Sequence, residues 1–341
     1  MSKIASQPVA WCGIDVSARE LVAALQREGR TPELHTFTNR SAGHQTLLRC
    51  LGRAKGMVRG CLEATGLYSL DVALALQEAP DIELAVLNPK TVCRFAETLR
   101  RSKSDPAHAL VLLAYAQRMP WQSWQPPRAT ALALRAITRR FAALTKLHTM
   151  DRNRLHAAEA SKTVPRCVRQ DVQRALLRIE RRRKRLQREA RVLVEQDSEL
   201  QERATLMRSI PGIGESSALQ ILGELAVLPA DLDVRQWVAH SGLDPRHHVS
   251  GSSVHHPARI SRAGNSHLRR VLYMPAMVGV RFDPHLRAFY ERLLERHKTK
   301  LQAILAAARK ILRAIYGMFR SRCSYDGARL FPLLQPVGRA A

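Results

Sequence analysis

Long apolar runs are missing from this sequence. No stretch approaches the roughly 18 residues of a membrane-spanning helix, and the start, MSKIASQPVA, lacks the apolar core of a signal peptide. A cytoplasmic protein without a membrane partner is therefore expected. Cysteine is sparse and scattered. Cys12, Cys50, Cys61, Cys93, Cys167 and Cys323 show no C-x-x-C spacing, which argues against a zinc site and against a disulfide framework. Most of them are expected to be small core residues. No internal repeat is visible. Acidic residues are also scarce, 29 against 55 Lys and Arg for a formal charge of +26, so the expected partner is a polyanion, nucleic acid first.

The shortage of acid is uneven. Residues 1–117 hold 14 basic and 11 acidic side chains, net +3, while the remainder hold 41 and 18, net +23. A chain of 341 residues can form two domains with separate cores, so two functions can be segregated along it.

The first ninety residues alternate β-rich runs with helical patterns, as α/β domains do. Runs at 9–16, 21–25 and 34–37 suit a three-stranded meander, and a helix is expected at 42–51. A fourth strand follows in MVRGCLEA (57–64), then a helix at 70–76 and a strand in IELAVLN (82–88) that stops at Asn-Pro. The pattern stays helical to about 118, with Asp105-Pro106 at a helix start. MPWQSWQPPRAT (119–130) reads as a linker. Beyond it Val172, Leu176, Ile179, Leu186, Ala190, Leu193, Leu200, Ala204 and Met207 form a heptad seam interrupted by Arg183 and Asp197, predicting one long helix that pairs with another. Eleven basic residues against three acidic ones lie between Arg166 and Val192. The run Arg181, Arg182, Arg183, Lys184, Arg185 is either a solvated helix face or a phosphate-contacting one, and the one-sided charge favours the second.

Three acids of the first half are singled out by position. Asp15 follows the first strand, Glu63 ends the fourth, and Asp105 opens a helix. Acids at neighbouring strand ends and a helix start can converge at a sheet edge, where carboxylates suit Mg2+ and phosphoryl transfer. Taken singly each has a plainer reading: a turn cap, a surface acid and an N-cap.

In the second half, SIPGIGESSALQILGEL (209–225) resembles a helix-hairpin-helix, whose Gly212 and Gly214 turn amides would meet a phosphate without reading bases. A plain helix connection fits the same residues. Residues 238–277 place a polar, Gly-bearing loop between helical stretches, containing Ser250, Ser252 and Ser253 and then Arg259, Arg262, Asn265, Arg269 and Arg270, which suit backbone contacts. The chain ends in a further helix at 301–319 and an expected disordered tail.

GIDVS, CLEATGLYS, VLNP and SKSDPAHA, in this order and spacing, resemble the amino-terminal DEDD domain of the insertion-sequence-110 transposases, and residues 238–277 with DPHLRAFYERLL and AILAAARKILRAIY resemble that family's carboxy-terminal domain. The resemblance runs from about residue 11 to 326. It implies an RNase H-like (RuvC-like) α/β domain at 1–118, a linker and basic coiled-coil segment at 119–207, a mostly α transposase domain at 208–326 and a tail at 327–341. It implies four acids that bind metal: Asp15, Glu63 and Asp105 match three of them, and His108 stands where the fourth is expected. An imidazole three residues on from Asp105 shares its helix face and can ligate metal or act as a base; it can equally mark an impaired site. The family's nucleophile is a serine linked covalently to DNA, matched here to Ser250 with a register open to Ser252 and Ser253. Activation would come from a base or a metal, and if the two domains meet, within a subunit or across a dimer, the metal of the acidic site would serve. Some members are guided by an RNA from the element itself, so DNA, a noncoding guide RNA and a homo-oligomer, a dimer forming a tetramer at synapsis, are the implied partners.

The leading expectation is a DNA recombinase that excises and inserts its own element. A metal-dependent junction endonuclease that uses water is the alternative, and a catalytically impaired nucleic-acid-binding relative is a third.

Overall fold

The structure, a computed structural model, describes residues 7–99, 104–250, 254–261 and 263–330, and of 247–250, 254–258 and 330 the backbone alone. The chain forms two compact units, Met1–Pro126 and Pro127–Ala341.

The first unit is α/β. Its elements run β1 (Ala10–Val16), β2 (Glu20–Arg27), β3 (Glu33–Thr38), α1 (Ser41–Gly52), β4 (Val58–Glu63), α2 (Leu70–Glu78), β5 (Ile82–Leu87), α3 (Pro89–Leu99) and α4 (Asp105–Arg118). The five strands form one mixed sheet in the order β3-β2-β1-β4-β5. The expected meander is its antiparallel half, β1 with β2 and β2 with β3, while β4 and β5 are added parallel. Such a mixed sheet is consistent with the RNase H-like fold. Burial follows position. β1 and β4 are flanked on both sides and most of their residues are buried, Trp11, Asp15, Arg59 and Glu63 being partly exposed, whereas edge strand β3 shows most of its side chains to solvent. Ile14, Leu21, Leu25, Leu62 and Leu84 are fully buried with Leu47, Leu51 and Leu76 of the helices.

Trp121 and Trp124, expected in a linker, are tied to this unit: Trp124 donates its backbone N–H to Leu84 O at 2.6 Å, and Arg59 stacks on Trp121 at 5.3 Å.

The second unit begins with α5 (Ala129–Ala160) and α6 (Arg166–Glu195), which pack as a hairpin. There follow α7 (Ser198–Arg208), α8 (Glu215–Leu225), α9 (Val234–Ser241), the strands β6 (Pro245–Ser250) and β7 (Val254–Ile260), α10 (Ser266–Val271), α11 (Tyr273–Phe282), α12 (Pro284–Glu295), α13 (Lys300–Ser321) and α14 (Gly327–Leu330). One core joins Leu200 and Met207 of α7, Ile221 and Leu222 of α8, Ala276 of α11, and Ile311 and Ile315 of α13.

Four expectations are corrected. The long helix breaks at Gln196-Asp197, because the Asp197 carboxylate accepts from Leu200 N at 3.1 Å and caps a new helix. The polar loop around the serines is an antiparallel β6–β7 hairpin, Pro245 opposite Ile260 and Ser250 opposite Val254. The first residues of the expected tail form α14, and 331–341 lie outside the described residues. Finally, only Cys12 and Cys61 are buried; Cys93, Cys167 and Cys323 are exposed. Among the described residues no helix is long and apolar enough to cross a membrane.

Candidate active site

Strand register brings the first two acids together. β1 and β4 run parallel with Ile14 opposite Leu62, so Asp15 and Glu63 are the next residues on adjacent strands, at carboxyl ends where open α/β sheets take ligands. Side chains alternate along a strand, so Gly13, Asp15, Cys61 and Glu63 share one face. That face is covered by α4. Gly13 has no side chain, and the helix lies directly on it: a Cβ there would meet Leu113 N at 2.1 Å and Ala109 O at 2.3 Å. The Cys61 thiol donates to Leu112 O at 2.9 Å.

The start of α4 then overhangs the strand ends. Its cap is Ser104, whose hydroxyl accepts from Ala107 N at 3.4 Å; Asp105 is the first helical residue and leaves its carboxylate exposed. One turn on, His108 Nε2 lies 3.0 Å from Glu63 Oε2 and 3.9 Å from Asp15 Oδ1. Asp15, Glu63, Asp105 and His108 line one cleft of about 440 Å³, with Pro89 and Cys93 of α3 on its other side.

Burial raises the Asp15 carboxyl above its ordinary value; His108 opposes the shift and the nearby Asp105 and Glu63 add to it. Among the described residues that line the cleft, His108 is the one basic side chain facing these three acids. Among the described residues no three His, Cys, Asp or Glu side chains already converge on one point as a metal ion requires; as placed, Glu63 is engaged by His108. The donor chemistry nonetheless fits a hard divalent cation: three oxygen-bearing acids on one cleft, one of them destabilised when ionised. Cys12 and Cys61 do not belong to such a set. Burial drives both thiols up, Cys61 to about 12, so both stay protonated.

Two supports were not read from the sequence. Gly13 stands inside GIDVS, two residues before Asp15, and nothing in that segment alone marks it as the seat of a helix. Asn39 donates to Ser17 O at 2.7 Å and to Tyr68 O at 3.0 Å, tying the turn after β1 to the loop after β4. Nothing local marks a lone Asn as a staple between segments so distant in sequence.

In the second unit, Ser250 ends β6 with its side chain outside the described residues; Ser252, Ser253 and Arg262 lie wholly outside them. Arg259 and Arg270 are exposed. Asn265 is engaged within the fold: Nδ2 donates to Glu224 Oε2 at 2.7 Å, and Oδ1 caps α10 by accepting from His267 N and Leu268 N. Arg269 donates to Ser241 O at 2.8 Å. Gly212 adopts a φ of +97°, and a Cβ there would strike Pro275 O of α11 at 2.6 Å, whereas Gly214 begins α8 in open space. Glu215 in the first turn of α8 is held by Arg191 and Gln187, which lower its carboxyl, Arg191 most. Of the basic run, Arg181, Arg182, Lys184 and Arg185 are exposed, while Arg183 stacks on Phe141 at 5.2 Å and bonds Glu180 at 2.8 Å.

Comparison with known proteins covers both units. Residues 12–158 match a transposase family of the IS110 DEDD type, and residues 204–291 match the family described as Transposase IS116/IS110/IS902, together more than half of the chain. The pilin gene-inverting proteins of Moraxella bovis and Moraxella lacunata are each 27% identical over 323 residues, 93% of this chain and 97% of theirs. The insertion element IS110 uncharacterized 43.6 kDa protein of Streptomyces coelicolor is 29% identical over 121 residues, 36% of this chain and 30% of its own.

Proposed function

The chain belongs to the IS116/IS110/IS902 family of transposases, enzymes that cleave and rejoin DNA, and from that premise we propose that it excises and inserts its own insertion sequence with two sets of groups. Asp15, Glu63 and Asp105 hold Mg2+, and His108 completes the set as a ligand or a base. When bound, Mg2+ supplies positive charge to phosphate oxygens and to an attacking or leaving oxygen. Ser250 is the nucleophile. Its Oγ bonds to a backbone phosphorus while a deoxyribose oxygen leaves and takes up a proton as a hydroxyl; attack by the hydroxyl of another strand reverses the step and releases the serine. The observation that carries the reading is the pairing of Asp15 and Glu63 at the ends of adjacent parallel strands, beneath the α4 turn that bears Asp105 and His108.

The remaining groups bind. Arg259, at the base of the hairpin, and Arg270 contact phosphates of the strand that the hairpin engages, while Asn265 and Arg269 keep the base of the hairpin and α10 in place. Exposed Arg181, Arg182, Lys184 and Arg185 of the α5–α6 hairpin hold nucleic acid, DNA or an element-encoded guide RNA. The α7–α8 turn approaches phosphate through the open Gly214, with Gly212 keeping that turn against α11. The α5–α6 coiled coil supports a dimer, and two dimers the synaptic tetramer. Full-length likeness to two gene-inverting proteins fits an enzyme that rejoins what it cuts.

The test is trapping of a phosphoserine–DNA adduct in magnesium, present in the wild type and lost in Ser250→Ala. A water-using nuclease is the second reading, favoured by the His108–Glu63 pair at 3.0 Å, an imidazole–carboxylate arrangement that can take a proton from water. Persistent cleavage without any adduct selects it. Sequencing of RNA copurified with the protein tests guidance: recombination in the absence of element-encoded RNA rules it out.

A further inference from the structure

A second cleft, of about 650 Å³, opens within the second unit between the base of the β6–β7 hairpin and α12–α13. Its walls are apolar, formed by Leu243, Ile260, Leu301 and Leu305, and Leu301 keeps 56% of its surface exposed. Three cations also line it: Arg259 of β7, Lys298 before α13, and Arg309 of α13. No acidic side chain does so among the described residues. Asp244, whose carboxylate acts on Arg309, accepts from the Ser261 hydroxyl at 2.6 Å. Burial, and then Arg313, hold the Arg309 guanidinium below its ordinary range, with Asp244 opposing, so this cation is only partly compensated from inside the chain.

Apolar walls bearing three cations, with no acid among the described lining residues, suit an anion with a flat apolar face. A nucleotide out of its stack is such a ligand: leucine and isoleucine side chains can enclose the base, and the cations can take its phosphates. Stacked duplex DNA keeps its base faces covered, so the strand must be open there. Strand β6 runs from the cleft to Ser250. From Pro245 to Ser250 is five strand steps, ~17 Å at ~3.3 Å each, or about five nucleotides at the 3.4 Å spacing of one stacked strand.

We propose that this cleft holds an unstacked nucleotide of the DNA strand engaged by the β6–β7 hairpin, about five nucleotides or fewer from the phosphate at Ser250. The proposal rests on the reading of that hairpin as the strand-joining element. A held base would fix the register of the open strand and leave the joining step to the tip.

The experiment measures fluorescence anisotropy of the full-length protein with two labelled probes, dT12 and an abasic strand of equal length and equal phosphates. At least tenfold tighter binding of dT12 is expected. Ala306→Phe, which fills the cleft from α13, and Leu301→Ser, which strips an exposed wall, should bring dT12 to the abasic value and leave abasic binding unchanged. Leu301 is largely exposed, so its variant is expected to melt as the wild type does and keeps the test valid should Ala306→Phe fold poorly. Equal affinity for the two probes, or a difference that survives both variants, overturns the proposal. So does an effect of the variants on rU12 alone. Failure of the strand-joining reading shows separately, as adducts that persist in Ser250→Ala with the base preference intact.

Discussion

Substituting Gly13 by alanine tests whether the contact between β1 and α4 builds the acidic site. The added Cβ would stand 2.1 Å from Leu113 N, 2.3 Å from Ala109 O and 2.7 Å from Leu112 C. All three are backbone atoms of one helix, so no side-chain rotation relieves the overlap. Bringing the closest contact from 2.1 to the 3.4 Å of ordinary packing requires α4 to retreat by about 1.3 Å. Overpacking of this kind costs about 1–3 kcal/mol of stability. Asp105 and His108 ride on the same helix, and a displacement of about 1 Å at reacting groups is worth on the order of a hundredfold in rate. Urea denaturation and cleavage of a plasmid bearing the element ends measure the two effects. Gly60→Ala is the control: it lies in adjacent β4, and its Cβ would meet only Leu84 Cδ1 at 3.6 Å and Cys12 O at 4.0 Å. That change should be neutral or stabilise slightly, since alanine loses less chain entropy on folding than glycine. Gly13→Ala with undiminished stability and cleavage, or Gly60→Ala with equal damage, would refute the reasoning.

Asp15→Asn should abolish cleavage yet raise the melting temperature at neutral pH. Burial lifts the folded-state pKa above the unfolded value, so ionising the acid removes stability as pH rises through that range and the amide escapes the loss; a lower melting temperature at pH 7 contradicts this. Glu224 runs the other way. Burial pushes its carboxyl up, but hydrogen bonds from Arg139 and Asn265 outweigh it and hold the value below 4.5, so its contribution is present above the unfolded pKa and fades as pH falls through the lowered one, which acid titration of Glu224→Gln against wild type measures. Arg139→Met should cost about 2–3 kcal/mol in denaturant, below the ~3–5 kcal/mol of a fully buried pair, because Arg139 is 41% exposed. Replacing Arg181, Arg182, Lys184 and Arg185 together by glutamine should flatten the dependence of log affinity on log salt by up to about 3–4, whereas Arg183→Gln should change stability and leave the slope nearly unaltered.

Most of the first unit was legible because its signals are local. β1, β2, β4 and β5 are largely apolar runs, β3 alternates apolar and polar residues as an edge strand does, and Pro106 marks the first turn of α4. What escaped depends on contacts between distant segments. The value of Gly13 appears only once Ala109 and Leu113 are seen against it, and the engagement of Glu63 with His108 spans 45 residues. Competing local chemistry explains the broken seam: the heptad continues through Leu193 and Leu200, but Asp197 offers its carboxylate to a backbone N–H three residues on and ends the helix there. The β6–β7 hairpin looks like a loop in sequence because polar His and Ser, with Pro and Gly, outnumber the β-branched and aromatic residues that favour strands.

The positive charge of the second unit divides once its partners are known. Arg139 is bound to Glu224, Arg191 to Glu215, Arg183 to Glu180, and Arg128 to Asp197 and Glu199. These arginines join helices or steady a turn, and a phosphate could recruit them only by displacing a carboxylate already in place. Arg181, Arg182, Lys184 and Arg185 have the opposite standing: they are exposed and lie on the helix whose other face packs on α5. Net charge therefore overstates the surface available to a polyanion, and the arginines that share a carboxylate should be invisible in a salt titration while dominating a denaturation curve. The first unit inverts the pattern. There Asp15, raised chiefly by burial, stands beside Glu63 and Asp105, with His108 alone opposing them among the described residues that line the cleft, and a divalent ion with its phosphate would offset the carboxylates more fully.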